Sequence, residues 1–165
     1  MKIDNDIIKK HRKGVRILSN TTQINHRALV IQSTCDLESD LCDRLAAFFV
    51  SRNSNLVESK VKDDIYGEGG MFSSLSKMAK IAYYLGLISK EHQHDLLKLT
   101  KLRNRYGHDK SRKQLDEEPS LNKLIQDTNL FRQNKSELEN LKPQAVYLAI
   151  KDQLIKEIQK IEDFS

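Results

Sequence analysis

The chain has 165 residues, of which 38% are hydrophobic and 31% charged, with two Cys, six Gly and two Pro. This length favours a single domain that is large enough to bury a hydrophobic core without disulfides or metals. The dense charge leaves no apolar run of the length of a membrane span or a signal peptide, so we expect a soluble, cytoplasmic protein. Cys35 and Cys42 lie about 10 Å apart along a helix, too far for a disulfide, and are expected to be buried.

The net charge of +5 is concentrated in two segments of the chain. Residues 98–113 carry seven cations against one acid, and residues 1–16 carry six cations against two acids, so the remaining chain is acidic. Two basic segments on an acidic body indicate a polyanionic partner, although a solvated charged surface is the alternative interpretation. The cations predicted to contact nucleic acid are Lys98, Lys101, Arg105, Lys110, Arg112 and Lys113.

The scarcity of Gly and Pro, with no sustained period-two alternation, predicts an all-α fold. The first predicted helix covers about residues 22–52 and has one apolar stripe that includes Ala28, Cys35 and Leu45. Glu38 occupies an apolar slot of this stripe, so it either faces a polar site, as a possible site acid, or fills a gap in the core. Residues 53–71 are rich in turn signals and lack the Gly-Lys-Ser/Thr of a phosphate-binding loop.

Two further helices are predicted on either side of Gly86. The first begins at an N-cap, Ser73 or Ser74, and ends at Gly86. The second follows the N-cap Ser89 and ends at Gly107. Their apolar residues are expected in the core: Leu75, Met78, Ala82 and Leu85 in the first helix, and Leu96, Leu99, Leu102 and Tyr106 in the second.

This helix pair imitates a DNA-binding helix-turn-helix but lacks its burial pattern. The second helix offers His92 and Asp95 where the motif requires apolar side chains, so direct DNA reading is not expected. His92 and His94 point about 200° apart on a helix, so no metal site is expected either. Beyond a polar connector, two more helices are predicted over about residues 120–128 and 143–162, the second with Pro143 in its first turn.

The strongest chemical candidate is the segment Arg103-Asn104-Arg105-Tyr106-Gly107-His108. On an uninterrupted helix Arg103 and His108 project about 140° apart, but a left-handed Gly107 would end the helix and let the two side chains converge. The alternative is structural: Arg103 pairs with a helix terminus or with Glu38, and His108 simply follows a C-cap.

An imidazole and a guanidinium that converge suit RNA cleavage without a metal. The imidazole of His108 accepts the proton of a ribose 2'-hydroxyl or donates one to the leaving 5'-oxygen. The guanidinium of Arg103 binds the phosphate as negative charge develops. Asn104 would orient the phosphate or a base, and Tyr106 would stack on a base if it is not part of the core.

The same segment resembles the Arg-x(4–6)-His signature of the HEPN superfamily, which has a polar residue after the Arg. Over a longer stretch, Gly67 to Ser76, Ile81 to Ile88 and Leu102 to Asp109 resemble the mannitol operon repressor (MltR) family, which is itself HEPN-like. The resemblance covers about residues 25–110.

The resemblance implies a HEPN-like helical bundle that forms a homodimer, with the Arg/His motifs of two chains facing one cleft. It implies a metal-independent endoribonuclease of a toxin, stress or phage-defence system, with catalytic residues Arg103, His108 and Asn104. No cofactor is expected, and the expected partners are RNA, a second copy and an antitoxin or regulatory protein.

Two other functions stay open. One is a non-catalytic MltR-type transcriptional regulator that acts through protein partners, and the other is an RNA-binding module without turnover. In each case we expect one helical domain, with a basic N-terminal segment (1–20), a HEPN/MltR-like core (21–110) and C-terminal helices (111–165).

Overall fold

The computed structural model describes residues 2–18, 25–67, 70, 72–108, 115 and 117–161. Within these ranges the chain forms α-helices and no β-strand, which confirms the all-α prediction. The helices are α1 (Asn5–Leu18), α2 (His26–Arg52), α3 (Glu58–Tyr66), α4 (Leu75–Tyr84), α5 (Lys90–His108), α6 (Pro119–Gln126), α7 (Asn129–Gln133), α8 (Lys135–Leu138) and α9 (Pro143–Gln159).

The long helix α2 lies at the centre of the fold and packs against α3, α4, α5 and α9. Its 27 residues extend about 40 Å, so one helix can support several neighbours along its length. Val30, Leu37, Leu41 and Leu45 are fully buried on it. One hydrophobic cluster joins these residues to others from Ile3 to Ile161.

The buried stripe of α2 differs in its first half from the predicted stripe. Ala28 is exposed and Cys35 is half-buried, whereas Ser33 and Thr34 are buried. The Thr34 hydroxyl donates a hydrogen bond to the Val30 carbonyl at 2.7 Å, which removes the cost of burying it. A stripe predicted from apolar residues alone omits hydroxyl residues that are buried with their hydrogen bonds formed.

Helices α4 and α5 pack against each other and on α2. The pair is joined through Gly86, whose φ of +72° is the left-handed conformation that glycine adopts without strain. Ser74 is the N-cap residue of α4, and the Ser89 hydroxyl accepts a hydrogen bond from the His92 backbone N–H at the start of α5. Leu85, which was predicted to be buried, is 38% exposed because α4 ends one residue before it.

Four helices form where none was predicted: α1, α3 and the short α7 and α8. Helix α1 packs on α9 and buries Ile8, within the segment described from sequence only as basic. Helix α3 packs on α2 through Val61 and Ile65, within the turn-rich segment. None of the helices in the described ranges has the length and apolar character needed to cross a membrane.

Candidate nucleic-acid interface

Helix α5 carries the predicted Arg/His motif, and it does not end where the sequence suggested. The helix continues through Gly107 to His108, and Gly107 lacks a positive φ. Arg103 and His108 therefore stay on one regular helix, where five residues at 100° each place them about 140° apart. The left-handed Gly107 that was expected to bring these two side chains together is not formed, so the predicted basis for their convergence within one chain is wrong.

The continued helix brings a different set of side chains together. Lys101, Asn104, Arg105 and His108 have the spacing i, i+3, i+4 and i+7, which places them on one side of a helix. All four residues are exposed. We call this set the α5 basic face. The spacing was visible in the sequence, but the expected helix end at Gly107 hid it.

Arg103 lies outside the α5 basic face, at the border of the core. It is half-buried, beside the buried Leu102 and Tyr106, and its Nη1 donates a hydrogen bond to Oδ1 of Asn104 at 3.3 Å. The amide of Asn104 thus links Arg103 to the exposed face. The alternative pairing of Arg103 with Glu38 is not formed.

The two permanent cations of the α5 basic face are not in direct ion pairs with acids of the described residues. Neither Lys101 nor Arg105 forms an ion pair with any acid among those residues. Nη1 of Arg105 donates a hydrogen bond to the Ser120 hydroxyl at 2.9 Å. A guanidinium has five N–H donors, so this bond leaves most of its donors for another partner.

Lys98, in contrast, is already paired. Its Nζ lies 3.3 Å from Oδ2 of Asp127. The hydrogen bond from Lys98, together with one from Arg132, holds the pKa of Asp127 below its ordinary value. The charge of Lys98 thus contributes less to an external anion than the charge of Lys101. Three other predicted nucleic-acid contacts, Lys110, Arg112 and Lys113, lie outside the described residues.

Two other predicted site residues are buried and contribute to the fold. Tyr106 is 2% exposed, so its ring belongs to the core and does not stack on a base. Glu38 is 8% exposed, and its Oε1 accepts a hydrogen bond from the Leu75 backbone N–H at 3.2 Å. The carboxylate therefore satisfies a free N–H at the start of α4. Of the two interpretations of Glu38, a role inside the core fits this contact.

The His92–Asp95 segment also contributes to the fold, through Asp95. The fully buried carboxylate of Asp95 accepts hydrogen bonds from the backbone N–H groups of Asn129 (2.6 Å) and Leu130 (2.9 Å) at the start of α7. Burial lowers the pKa of His92, which favours the neutral imidazole. No three His, Cys, Asp or Glu side chains of the described residues are grouped so as to hold a metal ion.

The N-terminal basic segment is partly tied to α9. His11 and Lys10 each place a side-chain nitrogen 2.9 Å from Oδ2 of Asp152. Burial raises the pKa of Asp152, but the hydrogen bonds from His11 and Lys10 outweigh it and lower the pKa well below its ordinary value. Arg12 and Lys13 are exposed. Arg12 and Lys13 thus form a second exposed basic surface, on a helix that packs on α9.

Comparisons of the chain with protein-family models, with curated proteins and with solved structures gave no significant match. The resemblance to the MltR and HEPN families therefore stays a prediction, and the functional argument depends on the geometry of α5.

Proposed function

We propose that this protein binds RNA through the α5 basic face. The observation that carries the proposal is the exposed, same-side arrangement of Lys101, Arg105 and His108, in which neither Lys101 nor Arg105 forms an ion pair with a described acid. Phosphate groups along a nucleic-acid backbone match a row of cations spaced along a helix. Arg105 lies in the last turn of α5, where a cation also stabilises the negative end of the helix dipole, but that role does not require exposure to a ligand.

Two chemical features of the face favour RNA over other polyanions. The Asn104 amide both donates and accepts hydrogen bonds, and an imidazole can do the same, so each can bind a base edge or a ribose 2'-hydroxyl. The 2'-hydroxyl is the group by which a protein distinguishes RNA from DNA at a given site. The resemblance of residues 103–108 to the HEPN signature points in the same direction.

Cleavage of the bound RNA remains a prediction that requires two chains. A single chain directs Arg103 and His108 about 140° apart on α5, which favours a site that two chains share. In a dimer, Arg103 of one chain would complete the site that contains His108 of the other. Without such a dimer, the protein would bind RNA without turnover.

The test is a titration of a fluorescently labelled single-stranded RNA in EDTA at several salt concentrations. For single strands, log K falls with log[salt] by about 0.7 for each phosphate contact. We expect Lys101→Ala and Arg105→Ala each to reduce this slope by about 0.7 and to weaken binding several-fold. Lys135→Ala is the matched control, because Lys135 is an exposed lysine on α8.

If all three variants bound RNA like the unmodified protein, the α5 basic face would not be the binding surface. If the unmodified protein bound no RNA, the proposal would be wrong and the regulator that acts through protein partners would be favoured. Electrophoresis of the same samples shows whether new RNA ends form, which separates cleavage from binding alone.

A further inference from the structure

Helix α4 has an outward side that the fold does not use. Lys77, Lys80 and Tyr84 have the spacing i, i+3 and i+7, which aligns them along one side of the helix. Both lysines are exposed, and Tyr84 is 75% exposed. We call these three residues the α4 outer face. It adjoins no part of the core, because the opposite side of α4 is the buried one.

The buried side of α4 explains why Tyr84 is not needed for packing. Leu75, Met78, Ala79 and Ala82 are each fully buried against the core. Tyr84 contacts the neighbouring Tyr83 ring, with centroids 5.7 Å apart and planes inclined by 50°. This contact covers one part of the Tyr84 ring and leaves most of its surface in water. Covering the exposed part of this ring with a ligand would remove apolar surface from water, which is favourable.

The charge of α4 identifies the chemistry of the ligand. The helix has no acidic residue between Leu75 and Tyr84. Neither Lys77 nor Lys80 forms an ion pair with a residue that the structure describes. Lys80 lies about 6 Å, and Lys77 about 10 Å, from Tyr84 along the helix axis. An aromatic ring with cations at such distances matches the base and the phosphates of a nucleotide chain.

We infer that the α4 outer face binds unpaired nucleotides of RNA, with a base stacked on Tyr84 and phosphates held by Lys80 and Lys77. The inference rests on the proposed function and specifies its substrate class as single-stranded RNA. A base in a duplex already stacks on its neighbours and offers no free ring surface to Tyr84. Helix α4 packs against α5, so the α4 outer face belongs to the helix next to the one that carries the α5 basic face.

The experiment compares the binding of single-stranded and duplex RNA by Tyr84→Ala and Tyr84→Phe variants. We expect Tyr84→Ala to weaken single-strand binding by about five- to a hundredfold, the effect of losing one base–aromatic stack. Tyr84→Phe keeps the ring and should bind single strands like the unmodified protein. Duplex binding should be the same for both variants. Val57→Ala is the matched control, because Val57 is 61% exposed on another part of the surface.

The outcomes separate this inference from the proposed function. If Tyr84→Ala bound single strands like the unmodified protein while Lys101→Ala weakened binding, the inference would fail and the proposed function would stand. If the unmodified protein bound no RNA, both would fail. If Tyr84→Ala converted a dimer to a monomer in sedimentation, with Tyr84→Phe remaining dimeric, the face would be an interface between copies and the inference would be overturned.

Discussion

Glu38 shows how a single buried acid connects two helices. It belongs to α2, and its Oε1 lies 3.2 Å from the backbone nitrogen of Leu75, the first residue of α4. The Ser74 hydroxyl makes no capping hydrogen bond and instead lies 3.2 Å from the Ser76 hydroxyl. The acid from a distant part of the chain therefore acts as the cap that the local serine does not provide.

We predict that Glu38→Ala lowers the free energy of unfolding by about 1–3 kcal/mol, because it leaves the Leu75 N–H buried without an acceptor. Glu38→Gln retains a carbonyl oxygen and loses only the attraction of a charge to the helix dipole, so we expect a loss of less than about 1 kcal/mol. Urea unfolding of the purified variants measures both values.

Ser74→Ala is the control at the same helix end. Since its hydroxyl does not cap α4, this substitution should cost only a few tenths of a kcal/mol, as a surface change does. A larger loss for Ser74→Ala than for Glu38→Ala would mean that the serine, and not the acid, caps the helix.

At the scale of single residues, sequence reasoning located the local signals and missed their distant partners. The Ser89 N-cap was predicted from sequence and is present in the structure. This signal is local, because the Ser89 hydroxyl accepts a hydrogen bond from an N–H only three residues further along the chain. The roles of Glu38 and Asp95 depend on contacts across 37 and 34 residues, respectively. Spacing in the sequence cannot supply such contacts, and for Tyr106 only packing decides between a core position and a base contact.

At the scale of secondary-structure elements, the two glycines of the α4–α5 region differ in conformation. Gly86 has a φ of +72°, and two hydrogen bonds close the turn around it, from Gly86 N–H to Tyr83 C=O and from Leu87 N–H to Ala82 C=O. Gly107 is an ordinary helical residue in the last turn of α5. Glycine permits both conformations, so the residue type alone does not show where a helix ends.

The same substitution should have opposite effects at these glycines. A Cβ at Gly107 would meet no atom within 4 Å, so we predict that Gly107→Ala raises the free energy of unfolding by about 0.5 kcal/mol. Gly86→Ala should lower it by about 1–2 kcal/mol, because alanine is strained in the left-handed region. Thermal and urea unfolding of the two variants measure the signs. A loss of stability in Gly107→Ala would support the left-handed helix end predicted from sequence.

Two of the helices missed by sequence analysis, α1 and α3, are stabilised by packing against the rest of the fold. The Ile8 side chain of α1 is buried against the rest of the fold, among exposed cations that conceal the apolar pattern. Helix α3 has only nine residues, so it is too short to be stable alone. It depends on the packing of two buried apolar residues, Val61 and Ile65. The long helices α2, α5 and α9 repeat their pattern over several turns, and the sequence predicted each of them within a few residues of its bounds.

At the scale of the whole molecule, the direction of Arg103 and His108 determines how many chains form a cleavage site. The two residues diverge by about 140° on α5, so the proposed cleavage site is expected to combine two copies of α5. A symmetric dimer would contain two such sites, each with Arg103 from one chain and His108 from its partner. Each single variant, Arg103→Ala or His108→Ala, would then disable both sites of its own dimer.

We predict that a mixture of Arg103→Ala and His108→Ala proteins regains RNA cleavage after subunit exchange. In a mixed dimer one site has lost both residues and the other has kept both, so random exchange should restore about a quarter of the activity of the unmodified protein. The measurement is the rate at which new RNA ends appear in EDTA. In the control, Arg103→Ala is mixed with the double variant of Arg103 and His108, and no activity should return because every mixed site lacks at least one of the two residues. Cleavage that both single variants lack and that the mixture does not recover would place the site within one chain, which contradicts the direction of the two side chains on α5.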